Sequence, residues 1–207
     1  MANDDSSRSI EDEHQIAKLL VRWGHARDSD DWETLAGCFD DVATIHISWI
    51  SGPAKDYIAR SRIMAAARKP GEHAKHVISA PLIQVNQNRA FSQCHANLYV
   101  RTTIKGYDCD LQSWLRFFDL LEKKNQRWQI VKRTAVYEKD RLESVDPRGF
   151  PKDFFDDMNV LAFPASAKFL SYWQLCSGRS ASNRIISVYS DEERALIKEG
   201  EKWLQTS

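Results

Sequence analysis

Residues 16–46 read IAKLLVRWGHARDSDDWETLAGCFDDVATIH, and apolar side chains recur in them at helical spacing twice. In the first part, the apolar residues from Ile16 to Trp23 share one face of a helix. In the second part, those from Trp32 to Phe39 fall at i, i+3, i+4 and i+7 and make one apolar stripe. The segment therefore predicts two amphipathic helices that are close neighbours in the chain.

A strand is predicted directly after the second helix. Asp30, with Glu33 three residues later, predicts where that helix begins. From Val42 to Trp49 apolar side chains alternate with Thr, His and Ser, which is the period of a half-buried strand. Gly52-Pro53 is expected to end this strand.

The following sequence adds a third helix and an antiparallel meander. The helix is predicted over Lys55–Arg68, and four strands are predicted from His76 to Tyr137, with polar reversals at 86–88 and 123–126. This order predicts an α+β fold. We expect a cone-shaped α+β barrel, in which a curved antiparallel sheet covered by three N-terminal helices surrounds an apolar pocket.

The composition changes after Asp140, where prolines and many aromatic residues alternate and a last helix is predicted from Ser190. We therefore divide the chain into a cone domain, residues 1–140, and an aromatic-rich helical C-terminal extension, residues 141–207. So many aromatic side chains must be buried somewhere. The sequence leaves two places open, over the mouth of the pocket as a lid or against a second subunit.

Charge and hydropathy exclude two classes of partner. Lys plus Arg and Asp plus Glu each number 29, so no bulk field attracts nucleic acid or an anionic membrane. No apolar run approaches the roughly 20 residues that span a bilayer, and the N-terminus is polar. We expect a cytoplasmic protein that binds neither nucleic acid nor membrane.

The four cysteines are widely spaced and form no CxxC pair, which argues against a zinc site and a disulfide framework. His73 and His76 form an HxxH, but they have opposite strand parity and no acidic residue stands at a ligand-like spacing. We expect no metal and no other cofactor.

Asp28 and His76 are the best candidates for acid–base chemistry. Asp28 continues the inward-facing stripe of the first helix, and His76 shares strand parity with Ile78. A buried carboxylate needs a partner, and a carboxylate beside an imidazole fixes its tautomer and raises its basicity. The alternatives are an Asp in the turn between helices and a hydrogen-bonded core His.

Two further sets could line the pocket. His95, Asn97 and Tyr99 lie on one face of a predicted strand, where they suit either a polar wall of the pocket or an exposed surface. Arg133 lies among apolar neighbours in the last predicted strand. It could stabilise a developing anion or pair with an acidic residue at the surface.

The segment 16–46 resembles the opening of SnoaL-like proteins of the nuclear transport factor 2-like superfamily. In those proteins an aromatic residue, an Asp, a DW pair and an F-x-D-x-A signature recur, and here Trp23, Asp28, Asp31-Trp32 and Phe39–Ala43 stand at those places. The resemblance continues through His76 to RWQIVKR, residues 127–133. It does not include the extension.

Within the superfamily the chain looks most like scytalone dehydratase, bile-acid 7α-dehydratase and hexachlorocyclohexane dehydrochlorinase. This resemblance implies that Asp28 and His76 form the base and that Arg133 matches an Arg of the dehydrochlorinase. It also implies that Trp23, His95 and Tyr99 surround the cavity. Trp23 departs from the pattern, since a Tyr often stands there and an indole cannot accept a hydrogen bond.

The resemblance predicts a cofactor-independent lyase of the dehydratase type. Its substrate would be a small, largely apolar metabolite such as a polyketide, terpenoid, steroid or aromatic compound, and the protein would form a homodimer or homotrimer. The same base could instead serve an isomerase or a polyketide cyclase. The fold also occurs in non-catalytic ligand-binding proteins and in dioxygenase β subunits.

Overall fold

The computed structural model describes residues 2–156, 162–179 and 185–205, with side chains from residue 9 onward. The helices are α1 (Ala2–Asp28), α2 (Trp32–Gly37), α3 (Ala54–Ala66), α4 (Lys168–Cys176) and α5 (Asp191–Gln205). The strands are β1 (Phe39–Ile47), β2 (Ile50–Pro53), β3 (His73–Ile78), β4 (Leu82–Asn86), β5 (Arg89–Ile104), β6 (Tyr107–Lys124), β7 (Arg127–Ser144) and β8 (Ile186–Ser187). No helix within these ranges is long and apolar enough to cross a bilayer.

One curved sheet contains all eight strands, and the predicted α+β class is confirmed. Its order is β2-β1-β7-β6-β5-β3, with β4 also paired to β5 and β8 to β7. The long strands β5, β6 and β7 are antiparallel, whereas β1 and β8 each run parallel to β7. Among the described residues β2 and β3 are opposite edges, so the sheet curves without closing into a barrel.

Two predicted strands are divided in the structure. The strand expected over residues 42–49 is a hairpin of β1 and β2 that turns at Ser48 and Trp49. The meander contains five strands rather than four, because β3 and β4 are separate strands that pair with successive parts of β5. Pro81 lies in the break between β3 and β4, because proline has no N–H to donate to a ladder.

The start of α2 differs by one residue from the prediction. Asp31, not Asp30, is the N-cap, and its Oδ1 accepts a hydrogen bond of 3.0 Å from the Thr34 N–H. Asp30 has a φ of 60° and instead pairs with Arg68 at 2.9 Å. This turn brings α2 back along the end of α1.

The inner, concave face of the sheet packs against α1, α2 and α3. Ile16, Leu20 and Trp23 of α1 are buried in this core, together with inward residues of β6 and β7 such as Leu121 and Ile130. The hydrophobic effect of this contact holds the helices in the concave side of the sheet. The centre of the cone is therefore apolar, as predicted.

The C-terminal extension contacts both sides of the sheet. The roof segment, residues 164–179 including α4, adds Leu170 and Tyr172 to the inner core. The α5 helix lies on the outer face, where it packs with Phe91 and Phe118, and Ser190 Oγ caps it at the Glu193 N–H as the sequence predicts. The roof segment thus buries part of the aromatic extension inside the cone, and α5 covers residues of the outer face.

Candidate active site

His76 and Asp28 meet at the edge of the concave face. The Nδ1 atom of His76 lies 2.7 Å from Oδ1 of Asp28. The backbone N–H of His76 also donates to Oδ2 of Asp28, at 2.6 Å. Both carboxylate oxygens of Asp28 thus accept hydrogen bonds from His76. The His76 side chain retains only 13% of its accessible surface, and the Asp28 side chain retains 7%.

A close approach of α1 to β3 makes this contact. Gly24 faces β3, and a Cβ at this position would lie 3.2 Å from Cγ1 of Ile78 and 3.7 Å from the His76 carbonyl oxygen. The absence of a side chain lets the helix backbone lie close to the strand. Asp28, one turn later at the end of α1, therefore reaches the His76 backbone.

The hydrogen bond to Asp28 decides which nitrogen of His76 is basic. An ionised carboxylate can only accept hydrogen bonds, so Nδ1 carries the proton of the neutral imidazole. The lone pair then lies on Nε2. The edge of the His76 ring meets Trp23, with centroids 5.3 Å apart and an interplanar angle of 75°, so both sides of the imidazole are held in place.

His76 lines an inner cavity of about 70 Å³ in the concave side of the sheet. The wall is mostly aromatic and aliphatic, with contributions from the cone and from the roof segment. Its residues include Trp23, Trp49, Tyr57, Leu98, Phe117, Tyr137, Trp173 and Gln174. An apolar cavity with a few polar groups is typical of a small-molecule site.

An outer cavity of about 380 Å³ adjoins the inner one. The two share five lining residues, namely Arg27, Met64, Ala74, Trp173 and Arg179. The outer cavity also contains Arg68, Glu72 and Arg101 in its wall. The two spaces therefore adjoin at these shared residues, with His76 in the wall of the inner one.

Trp23 lines the cavity as predicted, whereas Arg133 lies behind it. The Arg133 guanidinium is fully buried and forms two hydrogen bonds to Asp119, of 2.7 and 2.8 Å. Its Cζ lies 4.2 Å from the centroid of Trp23 and 4.3 Å from that of Phe117. Arg133 thus supports the cavity wall and is not among the residues that line it.

His95, Asn97 and Tyr99 occupy the outer face of β5, away from the cavity. The His95 side chain is 69% exposed and Tyr99 is 41% exposed. The inner face of the strand carries Leu98 and Val100, which line the inner and outer cavities. The expectation that these three polar residues surround the cavity is therefore wrong. Leu98 and Val100, which point to the opposite face of β5, line the cavities instead.

The cavity contains polar residues that the sequence did not single out. Tyr57 lies near Arg27, and the Tyr137 hydroxyl accepts a hydrogen bond from the Ser48 N–H at 2.8 Å. Gln174 donates to the Ser48 hydroxyl at 2.6 Å from the roof segment. These residues come from separate helices, strands and turns, and no spacing in the sequence links them.

Burial controls the ionisation of both tyrosines. It raises the pKa of Tyr57, and it raises the pKa of Tyr137 to about 12. Both phenols therefore stay neutral near pH 7. They can act as hydrogen-bond donors toward a ligand oxygen in the cavity.

This fold agrees with comparisons to known proteins. Residues 8–134 match the family described as the SnoaL-like domain. The chain belongs to that family. The matched residues include Asp28 and His76, whereas the roof segment and α5 lie beyond them.

Three known proteins show how the chain relates to the family. It is 31% identical over 163 residues to Pea pathogenicity protein 2 of Fusarium vanettenii. The aligned region covers 77% of this chain and 68% of that protein. A proposed scytalone dehydratase from Novosphingobium aromaticivorans has a TM-score of 0.58 and 14% identity, covering 66% of this chain and 90% of that one.

A nuclear transport factor 2-like protein with a cystatin-like fold, from the same bacterium, has a TM-score of 0.50 and 20% identity. It covers 64% of this chain and 85% of that one. At such identities the two solved structures show the fold alone. They agree with the α+β fold described above.

Proposed function

We propose that this protein is a cofactor-independent lyase of the dehydratase type, with His76 as its general base. The observation that carries the proposal is the 2.7 Å contact between Nδ1 of His76 and Asp28, on the wall of an apolar cavity. The substrate is a small, largely apolar metabolite that carries a carbonyl group and a leaving group on the carbon two bonds away.

His76 begins the reaction at Nε2. This atom takes a proton from the carbon next to the carbonyl, and the electron pair moves to the carbonyl oxygen as an enolate. When the enolate collapses, the bond to the leaving hydroxyl breaks, and the imidazolium returns its proton so that water departs. General base catalysis of this kind is typically worth about 10² to 10⁴ in rate.

Asp28 acts through His76 as a positioning residue. Its carboxylate fixes the tautomer and stabilises the imidazolium that forms during proton transfer. Tyr57 and Tyr137, which are neutral donors in the cavity wall, supply hydrogen bonds to the developing enolate. Arg133 is already paired with Asp119, so we assign it the support of Trp23 rather than contact with the enolate.

Deuterium exchange tests the proposal across several compound classes at once. A panel of polyketide, terpenoid, steroid and aromatic β-hydroxy ketones is incubated with the protein in D₂O. Mass spectrometry then measures deuterium uptake, which reports proton abstraction, and loss of water, which reports elimination. We expect at least one compound to lose water, and His76→Gln to slow that reaction by about 10² to 10⁴.

His95→Gln is the matched control, because it removes a second imidazole from the outer face of the sheet. We expect it to leave the rate unchanged. Deuterium uptake without loss of water would replace the lyase with an isomerase that uses the same base. Equal rates for His76→Gln and the wild-type protein would refute the base itself.

A further inference from the structure

We infer that Arg27 and Arg179 bind a carboxylate carried by the substrate, at the junction between the inner and outer cavities. This inference rests on the proposed function insofar as the cavity beside His76 is the substrate site. It narrows the ligand class to small organic acids with an apolar body.

The two arginines lie in the wall that the two cavities share. Arg27 comes from the last turn of α1, directly before Asp28, and Arg179 follows α4 in the roof segment. Both residues line both cavities. Both arginines therefore border the region where the two cavities adjoin.

Among the described residues, neither guanidinium forms an ion pair with a carboxylate. Nε of Arg27 is buried and has no hydrogen-bond partner. Arg179 instead stacks on Trp173, with its Cζ 3.8 Å from the ring centroid. Burying the Nε donor of Arg27 without an acceptor costs free energy, which a bound acceptor recovers.

Of the described residues that line both cavities, two are arginines and none is acidic. Burial lowers the pKa of Arg179 to about 10, and the nearby charge of Arg27 acts in the same direction. Other arginines of the outer cavity differ, because Arg68 pairs with Asp30 and Arg101 pairs with Asp110. The carboxylate of Glu72 is occupied by Thr102, Thr103 and Lys69.

A carboxylate fits this pair of cations. Guanidinium groups form two parallel hydrogen bonds to a carboxylate, and these bonds are stronger where water is excluded. A helix dipole also favours a basic residue at the end of α1, but that effect does not account for an unpartnered Nε inside a cavity. The apolar body of the acid would contact Met64 and Trp173, which line both spaces.

Binding of a matched acid and amide tests the inference. Cyclohexanecarboxylate and cyclohexanecarboxamide have nearly the same shape and no absorbance that interferes with tryptophan fluorescence. Isothermal titration calorimetry, supported by fluorescence of the cavity tryptophans, measures their affinities at pH 7. We expect the wild-type protein to bind the acid at least about tenfold more tightly than the amide.

Substitution then locates the charge. We expect Arg27→Gln and Arg179→Gln each to remove most of the preference for the acid, with circular dichroism melting to verify folding. Arg68→Gln is the matched control from the same cavity, since Asp30 already neutralises that residue. It should retain the preference.

Equal binding of acid and amide by the wild-type protein would overturn the inference, whatever the variants do. Tighter binding of cyclohexyl phosphate than of the acid would also overturn it, in favour of a phosphate site. The His76→Gln variant separates this inference from the proposed function. It should keep the acid preference, so a binding site without turnover would refute the lyase alone.

Discussion

The two faces of the β5–β6–β7 sheet carry the same kinds of residue in opposite surroundings. On the inner side Arg133 pairs with Asp119 and both are fully buried, whereas on the outer side Arg116 pairs with Glu138 and Glu193 and remains partly exposed. Likewise His76 is enclosed and bonded to Asp28, whereas His95 is mostly exposed. Residue type alone therefore does not identify the site, and burial distinguishes the two faces.

The largest difference in stability between the two faces should appear when the arginine of each ion pair is removed. Arg133→Met leaves Asp119 as an uncompensated buried charge, which typically costs about 3 to 5 kcal/mol. Arg116→Met, the matched outer variant, should cost only about 1 kcal/mol, because Arg116 and Glu138 are partly exposed and Glu193 keeps the hydrogen bond from the Tyr189 N–H. Urea unfolding followed by circular dichroism measures both, and equal losses would show that the faces do not differ in this way.

Asp140, which holds the roof segment through a hydrogen bond, should make the free energy of unfolding depend on pH. Asp140 of β7 accepts a hydrogen bond of 2.7 Å from the Leu170 N–H of α4. Burial raises the pKa of its carboxyl from 3.8 to about 6. Since the folded state then holds the proton more tightly than the unfolded chain, this stabilisation is present below about pH 4 and lost as pH rises through about 6.

Asp140→Asn isolates this contribution, because the amide keeps an acceptor and does not titrate. We expect the free energy of unfolding of the variant, relative to the wild-type protein, to rise by about 2 kcal/mol between about pH 4.5 and about pH 7.5. This value is smaller than the full pKa shift implies, because the side chain is only partly buried. Urea unfolding at several pH values measures the difference. A difference that stays constant with pH would contradict the assignment.

The last expected effect concerns how α5 contacts the outer face. A Cβ added at Gly200 would lie 2.5 to 2.6 Å from ring atoms of Phe91, so the ring or the helix must move. We expect Gly200→Ala to destabilise the protein by about 1 to 3 kcal/mol, as overpacking does. Gly37→Ala is the control, since nothing lies within 4 Å of its Cβ position. Thermal melting measures both, and equal melting temperatures would show that Phe91 yields freely.

Much of the cone could be predicted because its signals are local. The stripes at 16–23 and 32–39 and the polar reversals identify helices and turns, and they agree with the observed elements within a few residues. Asp28 and His76 could be proposed as partners from their patterns and the family resemblance. Their contact itself depends on the approach of α1 to β3 at Gly24, which no local pattern shows.

The orientation of β5 could not be predicted, because both of its faces are partly covered. The cavity lies against Leu98 on one side and α5 covers Phe91 on the other, so alternation does not distinguish inside from outside. Arg27 and Arg179 are distant in the sequence and meet only after the roof segment folds over the cone. Whether residues 1–140 fold as a separate domain stays a prediction, as do the expected oligomer and location in the cell.

The family match ends at residue 134, but Trp173, Gln174 and Arg179 in the cavity wall come from beyond it. The His76–Asp28 pair and the part of the cavity wall formed by the roof segment are thus contributed by successive, non-overlapping parts of one polypeptide. Chimeras that join a different roof segment to this cone would change which molecules fit the cavity, while His76 and Asp28 stay unchanged.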